Sequence, residues 1–284
     1  MTLILDGKKA RDAYKSELKK RVADLLVPPR LAILQIGNNP ESAIYIRQKQ
    51  KFGEEIGAIV DRVCFSETAG EEEIRGVIAN LNADPSVHGV IIQLPVPGKL
   101  NGFALASSIA PEKDVDGLGT SSKFVPATAK GTMLLLDHYG IALSGKKAAV
   151  FGRSRLVGAP IAESLRTRGA EVSVIHSKTE HPEKISSAAD IVIVAIGKAE
   201  YIDASFIKPG AVVVDVGINA IEKGIASRKL EDELPRRTVV GDVAFAAISP
   251  LVSAISPVPG GVGPMTVLAL FDNLVVSAEA LQAN

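Results

Sequence analysis

Lys147-Ala148-Ala149-Val150-Phe151-Gly152-Arg153-Ser154-Arg155-Leu156-Val157-Gly158 sets the fold class of this 284-residue chain. Ala148 to Phe151 is apolar without interruption, as in a parallel strand covered on both faces. Gly152 opens a tight turn, and Leu156 to Arg168 carries apolar residues at helical spacing. Glu171–Ile175 then reads as a second strand. The order is strand, glycine turn, helix, strand.

The same alternation extends outward in both directions. Leu31–Ile36, Ile59–Phe65, Gly89–Leu94, Ile191–Ala195 and Ala211–Val216 are strand candidates. Lys8–Leu25, Pro40–Gly57, Gly70–Asn82, Lys130–Tyr139 and Met265–Leu281 are helix candidates. Alternating elements predict an α/β fold with right-handed crossovers, and the length suits two α/β domains. Residues 98–128, rich in Pro, Gly, Ser and Asp, read as loop and inter-domain connection. The expected domains are 1–137, joined by a returning C-terminal helix over 264–284, and a Rossmann-like domain with a parallel sheet over 138–263.

Composition narrows the function classes. Apolar residues make up 46% of the chain, enough for a large core. The 32 Lys and Arg match the 32 Asp and Glu, so no global field favours nucleic acid or an anionic membrane. Aromatic residues are only 4%, with no Trp, which weakens a base-stacking role. Cys64 is the single cysteine, so no intramolecular disulfide forms and a thiolate zinc site is implausible. The N-terminus lacks a signal pattern, and the longest apolar runs are broken by Gly, Pro or charge. The expectation is a soluble cytoplasmic enzyme with no metal, nucleic-acid partner or membrane partner.

The opening stretch has a ligand to account for. A glycine turn leading into a helix aims backbone N–H groups and the positive helix end at a pyrophosphate. Here the turn reads G-x-S-x-x-x-G, a weaker signal than G-x-G-x-x-G, but strand, helix and second strand surround it. An NAD site usually ends that second strand with Asp or Glu for the ribose hydroxyls. This chain has His176-Ser177-Lys178-Thr179 instead, and Arg153 lies inside the turn. Cations and hydroxyls suit a 2′-phosphate, so NADP is expected over NAD.

In the helix candidate over Pro40–Gly57, Tyr45, Lys49, Phe52 and Ile56 share one stripe. Lys49 is its one charged member. Periodicity alone favours a snorkelling lysine, with a desolvated proton-exchanging amine as the sharper alternative. Gln93-Leu94-Pro95-Val96-Pro97 leaves a buried strand where a crevice at the carboxyl end of a sheet would lie, and Gln93 is placed to hydrogen-bond Lys49 or a substrate amide. Lys113-Asp114-Val115-Asp116-Gly117 offers two carboxylates beside a glycine turn, too sparse for a metal site. Ser256-Pro257-Val258-Pro259-Gly260-Gly261-Val262-Gly263-Pro264-Met265-Thr266 mixes three Pro with three Gly and reads as a backbone-defined binding loop.

In order along the chain, these blocks resemble the bifunctional methylenetetrahydrofolate dehydrogenase/methenyltetrahydrofolate cyclohydrolase family. The resemblance spans essentially the whole sequence, and the Q-L-P-x-P run and the Pro-Gly loop are its most specific parts. It implies two domains separated by an active-site cleft, and NADP-dependent oxidation of a folate-borne one-carbon unit followed by hydrolysis to 10-formyltetrahydrofolate. It further implies that Lys49 is the catalytic lysine, that Tyr45 packs on the pterin, that Gln93 tunes Lys49 and that Asp116 bonds the pterin. Gly152, Arg153 and Ser154 match the cofactor turn, Ser177 a neighbour of the 2′-phosphate, and Ile218 a backbone contact to the cofactor. A homodimer is the implied assembly. Departures fall at Ala127, Ala129, Ala244 and the Leu118-Gly119 pair. A monofunctional dehydrogenase or a non-catalytic nucleotide-binding protein are the alternatives, and retention of Lys49, Gln93 and Asp116 argues against both.

Overall fold

Two parallel sheets organise the chain in a computed structural model that describes residues 1–222 and 237–282. The strands are β1 (Leu3–Ile4), β2 (Arg30–Ile36), β3 (Ile59–Phe65), β4 (Gly89–Ile92), β5 (Lys147–Phe151), β6 (Glu171–Ile175), β7 (Ile191–Val194), β8 (Val212–Asp215), β9 (Asn219–Glu222), β10 (Arg237–Val240) and β11 (Ala254–Ile255). The helices are α1 (Gly7–Ala23), α2 (Pro40–Ile56), α3 (Glu71–Ala83), α4 (Gly102–Ala106), α5 (Ala127–His138), α6 (Gly158–Thr167), α7 (Pro182–Ser186), α8 (Phe245–Ile248) and α9 (Val262–Gln282).

The chain divides into two compact units, Arg11–Gly131 with Thr266–Asn284, and Met1–Ala10 with Thr132–Met265. The first is built on a three-stranded parallel sheet in the order β3-β2-β4. Its strand β2 is central, so the chain order reverses between β2 and β4, and ligand crevices in open α/β sheets form at such a switch. Leu31, Ile33, Ile91, Ile92, Ile74 and Ile78 are fully buried around it. Gly53 lets α2 lie close to Val60 and Phe271, where a Cβ would crowd both. Phe271 in turn packs on Phe52 with ring centroids 5.3 Å apart.

The second unit holds a six-stranded parallel sheet in the order β1-β11-β8-β7-β5-β6. The chain leaves β5 for the edge strand β6 and returns to β7 on the other side. The switch therefore lies between β5 and β7. Ala149, Phe151, Val192, Val194, Val213 and Ile255 form its core. An antiparallel β9–β10 ladder follows β8.

The parallel α/β architecture matches the sequence reading, but four expectations are corrected. Residues 1–10 do not belong with the first unit: Leu3 N–H donates to Ser253 O at 2.8 Å and Leu5 N–H to Ile255 O at 2.8 Å, adding β1 to the six-stranded sheet. The division falls near Thr132 rather than Asp137, inside α5. The 98–128 stretch contains α4, capped by the Asn101 side chain, which accepts from Phe103 N–H and Ala104 N–H. Finally, α9 is long and apolar enough to cross a membrane by length and composition, despite its Asp272. Its Leu268, Phe271, Leu274 and Val275 are instead buried inside the protein.

Candidate functional site

Lys49 sits on α2, whose true buried stripe is Ser42, Ile46, Phe52, Gly53 and Ile56. Tyr45, expected within that stripe, lies at its edge and is 38% exposed. Lys49 is half-buried, while Lys51 faces solvent as expected. Lys49 Nζ donates to Gln93 Oε1 at 2.8 Å, and Gln93 Nε2 donates to Leu94 O at 2.9 Å. Gln93 is held in turn by its own N–H on Leu34 O at 2.9 Å. That bond fixes it at the carboxyl edge of β2 and β4, beside the switch.

Burial pulls the Lys49 amine below the ordinary lysine range, and the Asp116 carboxylate opposes that pull. Asp116 is pushed above the ordinary carboxylate range by burial, with Lys49 opposing and Asp114 adding to the rise. Both groups are thus biased toward their neutral forms. A lysine of this kind changes protonation nearer neutrality than a solvated one. The amine is bound to Gln93 rather than extended into water.

The loop that carries Asp116 is anchored on both sides. Lys113, only 4% exposed, donates from Nζ to Leu81 O, Asn82 O and Asp84 O at 3.0, 2.8 and 2.7 Å. It thereby satisfies the otherwise orphaned carbonyls at the end of α3. Asp114 accepts from Gly119 N–H at 2.7 Å, and Asn273 of α9 donates to Val115 O at 2.9 Å. A Cβ on Gly119 would press on the Asp114 carboxylate, which accounts for the glycine there. Ala127 and Ala129 are buried at the start of α5, and Ala244 precedes α8 without a side-chain cap.

In the other unit, Gly152 follows β5 with φ 107°, and its N–H donates to Ile175 O at 2.9 Å. This bond sets Arg153 beside the turn that follows β6. There, His176 N–H donates to Thr179 Oγ1 at 3.0 Å, leaving Ser177 and Lys178 exposed. Ser154 Oγ accepts from Val157 N–H at 3.2 Å at the start of α6, and Arg153 is exposed above it. A Cβ on Gly158 would overlap Gly152 O, so helix and turn approach at backbone distance. The turn, the ten-residue helix and the exposed Arg153, Ser177 and Lys178 form a cradle that fits a dinucleotide with a 2′-phosphate. Ile218, 53% exposed, lies just past the carboxyl end of β8. The Pro-Gly loop is fixed by Gly261 N–H on Pro257 O and by Gly7 N–H on Gly260 O, both 2.8 Å.

Sequence reasoning missed two buried supports. Lys113 looked like one of many loop charges, and only the position of α3 shows its role. Asp242 stands as a lone carboxylate within Val239-Val240-Gly241-Asp242-Val243, a local signal that had no partner until the fold supplied one. Among the described residues no cluster of His, Cys, Asp or Glu could hold a metal ion.

Comparisons with known proteins now bear on these two sites. A family model described as the tetrahydrofolate dehydrogenase/cyclohydrolase catalytic domain matches residues 5–116, and one described as the NAD(P)-binding domain of the same enzymes matches residues 126–282. A Streptococcus pneumoniae protein named bifunctional protein FolD is 38% identical over 98% of both chains. The crystal structure of the bifunctional FolD enzyme from Campylobacter jejuni superposes with a TM-score of 0.91, at 38% identity and 99% coverage of each chain. The Trypanosoma brucei FolD enzyme, solved with NADP cofactor and inhibitor, superposes with a TM-score of 0.90, at 31% identity and 98% coverage. With the two family models together matching nearly the full length, the chain belongs to the tetrahydrofolate dehydrogenase/cyclohydrolase family.

Proposed function

We propose that this chain oxidises 5,10-methylenetetrahydrofolate to the 5,10-methenyl cation with NADP⁺, then hydrolyses that cation to 10-formyltetrahydrofolate. The observation that carries the reading is the Lys49–Gln93 hydrogen bond at a sheet switch point, with Asp116 acting on the same amine. When bound, NADP⁺ supplies the hydride acceptor. Gly152, Arg153, Ser154 and Ser177 are the residues assigned to hold it, with the Ile218 backbone as a further contact. The three-stranded unit is assigned to the folate and the six-stranded unit to the dinucleotide.

Hydride loss from the methylene bridge needs positioning more than acid–base help, because a ring nitrogen lone pair drives it. Tyr45 is assigned to the pterin face and Asp116 to its polar edge. Hydrolysis differs. Water adds to the methenyl carbon, the bond from that carbon to N5 breaks, N5 takes a proton, and one proton is released overall. An amine biased toward neutrality can accept the water proton and return it to N5. Gln93 Oε1 holds Nζ in place for both transfers.

Purified protein given methylenetetrahydrofolate with NADP⁺ or NAD⁺ is expected to show methenyl absorbance that then decays. No methenyl product with either cofactor sinks the reading. Arg153→Ala should raise KM for NADP⁺ by about tenfold and for NAD⁺ much less. An equal rise for both would contradict the 2′-phosphate assignment. The proposal also includes a homodimer, which sedimentation at micromolar concentration tests, and a cytoplasmic location, which cell fractionation tests.

A further inference from the structure

Asp215 and Asp242 are 3% and 0% exposed, and neither has an ion-pair partner among the described residues. Both are satisfied by N–H groups instead. Asp242 Oδ2 accepts from Ile196 N–H and Gly197 N–H at 2.7 and 2.9 Å. Its Oδ1 accepts from Lys198 N–H and from Asn219 Nδ2, both at 2.8 Å. Three successive N–H groups converging on one point form a concavity of the kind that ordinarily takes an anion. Here the chain supplies the anion itself.

Asp215 seats that carboxylate. It accepts from Gly217 N–H at 2.9 Å, Asp242 N–H at 3.1 Å and Val243 N–H at 2.9 Å. A Cβ on Gly217 would overlap the Asp242 carboxyl, and one on Gly241 would overlap that of Asp215. The pair therefore ties together the segments that follow β7, β8 and β10. The link reaches the glycine turn as well, since a Cβ on Gly152 would overlap Ala195 O. Every segment involved lies at the carboxyl edge of the sheet, next to the switch between β5 and β7.

A dinucleotide crosses such an edge with its pyrophosphate at the first turn and one ribose at the end of the second strand. With Gly152 and Ser177 in those places, the other nucleotide half falls toward β7 and β8. We propose that Asp242 is a positioning residue for the dinucleotide: its carboxylate, seated by Asp215, fixes residues 196–198 and 217–219 so that their backbone receives the half of the cofactor beyond the pyrophosphate. This rests on the assignment of the cofactor to the Gly152 turn.

Direct binding separates this role from general support of the fold. NADP⁺ and adenosine 2′,5′-bisphosphate, which lacks the nicotinamide half, are titrated by calorimetry, and hydrolysis of methenyltetrahydrofolate without cofactor serves as a control. Asp242→Asn removes a charge-assisted acceptor, so NADP⁺ affinity should fall about tenfold. The bisphosphate affinity and the hydrolysis rate should stay within about twofold. Asn219→Ala, which removes a single donor from a half-buried position, should give the same pattern at about threefold and decides the matter if Asp242→Asn does not fold. Equal losses for the two ligands, a parallel loss of hydrolysis, or unchanged NADP⁺ affinity would overturn the proposal. Arg153→Ala should weaken both ligands. If it weakens neither, the placement of the cofactor is what fails.

Discussion

Lys49 shows how much a single residue's surroundings decide. Its periodicity was legible in the sequence, because Phe52 and Ile56 follow it at helical spacing and are buried. Its partner was legible only as one of two choices, Gln93 being placed for Lys49 or for a substrate amide. Because Gln93 lies 44 residues away, it takes the β2–β4 pairing to bring it to 2.8 Å. Tyr45 escaped correct placement for a related reason. Spacing sets the angle around a helix but not where a neighbouring element stops covering it. A buried ammonium is a cost to the fold, because its charged form loses hydration. Lys49→Met keeps the stem and removes that cost, though it leaves Gln93 Oε1 without its donor. The hydrolysis rate should fall at least about hundredfold, the scale of a lost acid–base group. The thermal midpoint should stay level or rise. A large fall in midpoint with hydrolysis retained would show that the amine supports the fold rather than the chemistry.

At the scale of elements, α3 and the Lys113–Gly117 loop stabilise one another. The helix ends without a Gly or Asn cap: Asp84 follows in an extended conformation, and its N–H bonds Asn80 O. Lys113 brings a full positive charge to that carbonyl-rich end, where the helix dipole favours a cation. Burial lowers its pKa, with Asp84 and Glu112 opposing. All three of its protons are nevertheless used. The sequence showed the helix almost to the residue, because Ile74 and Ile78 repeat at helical spacing behind three glutamates. It did not show the cap, which comes from 29 residues downstream of Asp84. Lys113→Met leaves buried carbonyls unpaired, at about 2–4 kcal/mol. Urea unfolding should register that loss. Folate KM should rise together with it, because the same loop carries Asp116. An unchanged urea midpoint would mean that water replaces the ammonium at no cost.

For the molecule as a whole, the sequence revealed the two parallel sheets through their long apolar strands but not how the first residues are tied into one of them. Strands β1 and β11 are two residues each, too short for any periodicity to register. They pair across some 250 residues of chain, with Leu3 opposite Ala254. The carboxylates that organise the six-stranded sheet were equally hidden, because an aspartate's hydrogen-bond partners are set by tertiary position. Asp215 gives this buried network a thermodynamic signature. Burial raises its pKa to about 6 from an ordinary 3.8, against the pull of the N–H groups of Asp242, Val243 and Gly217, while the neighbouring Asp242 charge adds to the rise. Between these two values the folded chain still holds a proton that the unfolded chain has released. Stability from this group is therefore greatest at low pH and declines as pH rises through the window, by about 3 kcal/mol in total. Asp215→Asn cannot titrate. It keeps an oxygen for Gly217 N–H and Asp242 N–H but turns an amide toward Val243 N–H, so the variant is less stable at every pH while lacking this slope. Other carboxylates titrate over the same range, so the informative quantity is the difference in unfolding free energy between wild type and variant. That difference should shrink from about pH 4 to about pH 7. A difference that is flat, or that grows with pH, would show that Asp215 is held ionised by its N–H partners, and that burial is not the stronger influence.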